Sequence, residues 1–547
     1  MAVLTRIAGG RVIDPAHRRD GIGDVWMRDG RILDTPAAGT RADETHDATG
    51  KIVMAGAIDI HSHVAGANTN TARLLLPEHH RASVPRPAHT PLSIAGWSTF
   101  ETGCRYAQMG FTTVVEPAVS PHHALHAHLE LADTPIIDKA ILGVLGNDDF
   151  LLGLMRAKDS KSAIRDYVAW TLETSRALGI KVINAGGAAA FKANVRAFSL
   201  DDVVPDYGVT SRDIVKALQH AVHDLGVPHP LHVHCNNLGM AGNAETALAT
   251  IAAAEGLPLH LAHLQFYGYG KEGERGFSSE APRLAEAVNA AKNVTVDVGQ
   301  VMFGQTVTIS SDVLRQFNAR DQARPRKWVI FDGDSNGGGI APYNYRADDF
   351  YNAVQWAVGL ELFLLIDDPS RVLFTTDHPN GAPFTTYPEI FALLMSRDLR
   401  AEWIAKLPPV AMAMTTLPSI AREYSLGEIA TMTRAAPARL LGLTNRGHLG
   451  AGTVADVAVY NDDPSRAAMF RSAALVFKNG DLVVRDGKVT QYRFGRALTV
   501  KPGRDAAIDR RMTAYYDQRY GLSDDFIKVP DFAIPRPDPF ELVPCAR

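Results

Sequence analysis

The chain is 547 residues long and carries 56 Lys plus Arg against 60 Asp plus Glu, a formal charge of -4. That length supplies a sizeable core, and a near-neutral balance with no block of like charge excludes nucleic acid or an anionic membrane surface as the main partner. Three scattered cysteines, Cys104, Cys235 and Cys545, form no CxxC pair, which excludes a disulfide framework and a cysteine-bound cluster held by this chain alone.

In chain order, "MAVLTRIAGGRVIDPAH" has no long apolar core and no small-residue cleavage site, and no later run reaches the roughly 18 apolar residues of a membrane span. A cytoplasmic protein is expected. Residues 1–55 read as short strands punctuated by Gly and Asp-Gly turns, and the same texture returns over 447–501 in "LGAGTVADVAVYNDD" and "ALVFKNGDLVVRDGKVTQ". These two ends are expected to build one small β-sandwich domain.

Between them, residues 56–446 alternate near-continuously apolar runs with helix-like stretches such as "SAIRDYVAWTLETSRALG". The runs "AGAIDIHSH", "GFTTVVEPAV", "KAILGVLGNDD", "GIKVINAGG", "PLHVHCNN", "LPLHLAHLQ", "NVTVDVGQ" and "RVLFTTDHP" have the character of parallel strands buried on both faces. Eight such units predict an α/β fold of the (β/α)8 TIM-barrel type, ahead of a doubly wound open sheet. The connection from Val64 to Gly110 is long enough for a functional loop or a partner contact. The 502–547 tail, with "DFAIPRPDPFELVPCAR", is Pro-rich and reads as extended, a candidate contact with other subunits.

In such a barrel the site is built at the C-terminal ends of the strands, and ligand-type residues recur there. The first run ends in His61 and His63, which share a face at i and i+2. The fifth carries His232 and His234, the sixth His260 and His263, and the eighth Asp377. Imidazoles and a carboxylate arriving from separate strands need partners when buried, and a shared metal supplies one. His234 and His263 are the expected ligands because they lie nearer the strand ends; His232 and His260 are expected to support them or fill the core.

Lys181, in the fourth run, is an ammonium in an apolar strand, where desolvation favours the neutral amine. A neutral amine adds carbon dioxide, and the carbamate so formed can bridge two cations. Lys192 in "AAAFKANVR" is the competing candidate. Asn236, Asn237, Gln265 and Asn380 follow the strand-end ligands and are candidate substrate contacts, with loop capping as the alternative. "FDGDSNGGG" reads as a lid or a Gly turn without assigned chemistry.

The markers "DIHSH", "GIKVINAGG", "HVHCNN", "HLAHLQ", "TTDHPNG", "AAPARLLGL" and "GAGTVADVAVY" resemble the metal-dependent amidohydrolase superfamily. "HVHCNNLG", "HLAHLQFYGYG", "FDGDSNGGG" and "TTDHPNGAPFTTYPEI" narrow the resemblance to the alpha-type subunits of formylmethanofuran dehydrogenases and of bacterial formyltransferase/hydrolase complexes. This resemblance implies two zinc ions on His61, His63, carboxylated Lys181, His234, His263 and Asp377, and an N-formyl amine of the methanofuran or methylofuran type as formyl carrier. It also implies a complex of several different subunits, with Asp377 moving the proton in formamide cleavage to formate. The Ala- and Arg-rich composition points to the bacterial hydrolase. The alternatives are the archaeal-type enzyme running in the condensing direction, a hydantoinase- or dihydroorotase-like cyclic-amide hydrolase, and a metal-free scaffold.

Overall fold

The computed structural model describes residues 3–75, 99–195, 198–310 and 339–546. "FDGDSNGGG", apart from its last glycine, and the middle of the 64–110 connection lie outside these residues.

Each of the eight apolar runs contributes one parallel strand, and the strands pair in chain order. They are Ala57–Asp59, Phe111–Val119, Asp138–Leu145, Gly179–Ile183, Leu231–His234, Leu259–Leu261, Val294–Asp297 and Val372–Leu373. Just beyond the last strand, His63 N donates to His378 O at 2.8 Å, and Ser62 and His378 pair in parallel. That contact joins the end of the first strand to the end of the eighth. The strands read as continuous apolar runs because both faces are covered, by helices outside and by packed side chains within.

The two chain ends meet in a single nine-stranded sheet, in which Val457–Asn461 pairs antiparallel with Lys51–Ala55. Its own small core includes Ile7, Val25, Val53, Val457 and Phe477. One strand of the 447–501 stretch, Ala497–Thr499, belongs to the barrel sheet instead and pairs with the start of the third barrel strand.

The tail differs from the extended segment that its prolines suggested. Ala507–Tyr520 is a 14-residue helix that buries Ile508, Met512 and Tyr516, one apolar position per turn. Phe540–Leu542 then adds a parallel strand beside Ala497–Thr499. No helix among the described residues is long and apolar enough to cross a membrane.

Candidate metal centre

Strand register delivers the polar side chains together. Lys181 lies opposite His232, and His232 opposite His260, across the fourth, fifth and sixth strands. In-register neighbours of a parallel sheet share a face, so these three side chains point into the barrel and alternate with apolar residues that face the helices. His234 follows His232 on the same face. His263 and Asp377 come from the turns beyond the sixth and eighth strands, and both hold left-handed backbone, at φ 34° and 51°. Glycine at 299 is required for the first of these turns: a Cβ there would sit 2.6 Å from that of His263.

The contacts are those of histidines held for a task. His61 Nδ1 lies 2.9 Å from Asp297 Oδ2, and His63 Nδ1 lies 2.9 Å from Glu116 Oε1. The opposite nitrogens face Asp377 Oδ1, His61 Nε2 at 3.0 Å and His63 Nε2 at 3.4 Å. Lys181 Nζ lies 3.1 Å from His61 Nε2. Asp377 Oδ1 nevertheless has no aligned hydrogen bond, and neither does the buried Nδ1 of His263. Donor atoms crowded together without hydrogen-bond alignment are what ligands of a shared cation show. One ligand atom each of His61, His263 and Asp377 lies within 4.8 Å of the other two. His234 packs edge-on to His263 with ring centres 4.7 Å apart. His61 and His63 each committing one ring nitrogen to a carboxylate is the support that metal-binding imidazoles commonly have.

Burial and close opposite charges together set the protonation of the site. Burial pushes the Lys181 ammonium down from its ordinary range, against the pull of Asp377, Asp297 and Glu116. Burial also opposes charge on Asp377, yet His61 and His263 hold its carboxyl well below the usual carboxylate range. Burial acts on Asp297 in the same sense, and there His61 and His260 outweigh it and hold the carboxyl low. For His63, burial is outweighed by Glu116 and Asp377, which push the imidazole up to about 9. Asp297 and Asp377 therefore remain charged in a buried site, with the neighbouring imidazoles supplying the opposing charge.

All six predicted ligands meet here, whereas Lys192 is exposed at the end of the Gly187–Lys192 helix. His232 and His260 sit beneath them, with His232 Nε2 3.1 Å from His61 Nδ1 and His260 Nε2 3.1 Å from Asp297 Oδ2. The four amides divide. Asn380 faces the cavity and donates to Asp377 Oδ2 at 2.8 Å. Asn236 donates to Ser211 Oγ, Asn237 accepts from Phe198 N, and Gln265 donates to Tyr269 OH, so these three serve the turns rather than the cavity.

Sequence reasoning missed Asp297 and Glu116. Asp297 accepts from His263 N at 2.7 Å besides its contacts with His61 and His260. Glu116 also accepts from Val64 N at 2.6 Å and Ala65 N at 3.0 Å. The signal was a lone carboxylate inside an apolar strand, in "NVTVDVGQ" and "TTVVEPAV", the same anomaly that drew attention to Lys181.

A cavity of about 560 Å³ opens over the cluster, reaching His63, Glu116, Lys181, His234, His263 and Asp377. Tyr343 and Tyr345 of the Gly304–Ser310/Gly339–Tyr345 hairpin stand along it, and Tyr345 OH donates to Asn380 O at 3.2 Å.

Comparison with known proteins gives this geometry a context. The FhcA component of the formyltransferase/hydrolase complex of Methylorubrum extorquens is 51% identical, covering 99% of this chain and 100% of that protein. A crystal structure of the FhcABCD complex of that organism with methylofuran contains a chain that superposes with a TM-score of 0.95, with full coverage of both chains. Protein FwdA of Methanocaldococcus jannaschii is 37% identical over 95% of this chain and 97% of its own length. A model of the amidohydrolase family matches residues 44–491. Because that span takes in all eight barrel strands and every side chain that meets at their mouth, the chain belongs to the amidohydrolase family.

Proposed function

We propose that this hydrolase removes the formyl group from an N-formyl amine of the methylofuran type, releasing formate and free amine. It would act as the hydrolase component of a cytoplasmic formyltransferase/hydrolase complex in one-carbon metabolism, with the other subunits as partners. The observation that carries this reading is the 51% identity over the whole chain to the FhcA component.

His61, His63, Lys181, His234, His263 and Asp377 would hold two divalent ions, zinc by the preference of such donors, with Lys181 in its carboxylated form. When bound, the ions supply polarisation of the formyl carbonyl and make a water more acidic. Lys181 reaches its carboxylated form when its neutral amine adds carbon dioxide and releases one proton. Asp377 accepts the proton of the attacking water and hands it to the amine nitrogen, because an amide nitrogen leaves poorly until it is protonated. Asn380 Nδ2, 2.8 Å from Asp377 Oδ2, holds the carboxylate so that Oδ1 stays turned to the reacting centre. Discrimination at the carbonyl carbon is worth only about 1 to 3 kcal/mol per methyl group, so the amine portion must supply the remaining specificity.

The test is formate release from N-formyl-methylofuran by the assembled complex, beside hydantoin and dihydroorotate and with metal analysis of the same preparation. Formate equimolar with free amine, from a zinc-loaded chain, is the expected result. Ring opening without formate release overturns the reading in favour of a cyclic-amide hydrolase, and a zinc-free chain after zinc supply overturns it in favour of a scaffold. A second reading, condensation of formate with the amine at the same site, draws on the 37% identity to FwdA. Labelled formate appearing in the N-formyl amine faster than formate is released selects that direction.

A further inference from the structure

A second cavity, of about 260 Å³, lies at the N-terminal end of the barrel, away from the ligand cluster. Lys139, near the start of the third barrel strand, stands in its wall with His128 of the Ala124–Asp133 helix, Arg496, and Arg536 of the tail segment "IPRPDP". Stretches far apart in the chain meet around it, and the tail supplies one side.

Lys139 is 1% exposed, and among the described residues its Nζ makes one hydrogen bond, to Gly495 O at 3.3 Å. Alternation along the strand turns Asp138 to the other face, where Lys478 and Arg446 take it up. Arg536 lies over the Phe494 ring at 3.8 Å and donates to Ala132 O. Neither Lys139 nor Arg536 forms an ion pair among the described residues. Arg496 reaches Glu541 at 3.7 Å, and the remaining acids nearby, Asp133 and Asp538, are exposed. His128 gives its Nε2 hydrogen to Ser175 O at 3.0 Å, and burial keeps it neutral, pushed down to about 4. Burial also pushes the Lys139 amine down, helped by Arg536 and Lys478 and against the pull of Asp138 and Asp133, to about 7. A buried ammonium without a counter-charge is costly, and an anion beside it removes that cost. The guanidinium fork of an arginine suits the same oxygens.

We propose that this cavity is a binding site for a small oxyanion, a carboxylate or a phosphoryl group, held between Lys139 and Arg536. Such a ligand would tie the tail to the base of the barrel. It would act on the stability of that junction and take no part in the reaction at the other end.

Two measurements on the full chain in its complex test this. In the first, calorimetry follows sulfate and formate, neither of which changes charge near neutrality, at constant ionic strength in chloride. Because the anion joins the charged amine, affinity is expected to fall about tenfold from pH 6 to pH 8, with proton uptake on binding at the higher pH. Lys139→Met removes an uncompensated buried amine and leaves the fold intact, and this pH-dependent binding should vanish in it, while any sulfate held at the ligand cluster remains. Equal binding by wild type and variant at both pH values overturns the proposal. Tighter binding of sulfate assigns a phosphoryl ligand, and tighter binding of formate a carboxylate. The second measurement needs no variant. Cyanate modifies neutral amines, and mass spectrometry follows Lys139 beside the exposed Lys158. The saturating anion is expected to slow modification of Lys139 about fivefold and leave Lys158 unchanged. The same rate at Lys139 with and without the anion contradicts the site.

Discussion

Two clusters of buried charge occupy opposite ends of the barrel. At the N-terminal end, Asp138 receives Lys478 Nζ at 2.7 Å, Arg446 Nε at 2.8 Å and Arg496 N at 2.8 Å, and Lys478 also reaches Asp456 at 2.6 Å. At the C-terminal end, Asp377, His61, His63, His263 and Lys181 crowd together while Asp377 Oδ1 and His263 Nδ1 lack aligned partners. The first cluster is closed, and it ties the nine-stranded sheet, through Lys478, to the third barrel strand. The second is open, its donor atoms brought together without aligned partners. Burial of charge alone therefore does not mark a site; unmet donor geometry at a strand's C-terminal end does.

The contrast can be broken from either side. The largest effect is expected at the open cluster: Asp377→Asn should lower formate release about a thousandfold, roughly 4 kcal/mol, with metal content falling less than turnover. Near-normal formate release with metals bound would remove Asp377 from the proton path. At the closed cluster, Lys478→Met should destabilise the fold by about 3 kcal/mol, read by urea denaturation, because two carboxylates lose their shared cation. Turnover per folded molecule should stay close to wild type, which separates the structural cluster from the reacting one.

A smaller effect is expected from Glu116→Gln, which keeps the size of the side chain that steadies His63 but removes its charge. Zinc affinity should weaken about 10- to 100-fold in a chelator competition. The smallest is a slope with pH. Burial raises the Asp138 carboxyl, but Lys478 and Arg446 outweigh it and hold it well below its ordinary value of 3.8. Its stabilisation is thus complete above that value and is lost as pH falls below it, by up to about 1.4 kcal/mol per unit. The stability advantage of wild type over Asp138→Asn should shrink below about pH 4, and a constant difference through that range would contradict the pairing.

The barrel was legible because strands covered on both faces must be apolar throughout, so eight runs such as "GIKVINAGG" and "HVHCNN" stand out from the amphipathic helices between them. The metal-type ligands were legible because they interrupt those runs at their ends. Asp297 and Glu116 escaped notice because their partners, His61 and His63, belong to another strand, and pairing across a barrel is not written in local spacing. Asn236, Asn237 and Gln265 follow ligands closely, but their amides were needed by the turns that place those ligands. In the tail, prolines dominated the reading, although Ile508, Met512 and Tyr516 already repeat at four-residue spacing, the apolar stripe of a docked helix.

The proposed two-ion centre of carboxylated Lys181, His61, His63, His234, His263 and Asp377 is best checked by a crystal structure of the zinc-loaded chain with anomalous data at the zinc edge. Two anomalous peaks within these six side chains are expected, with carboxylate density continuous with Lys181 Nζ. A bare Lys181 amine beside one peak or none would contradict it.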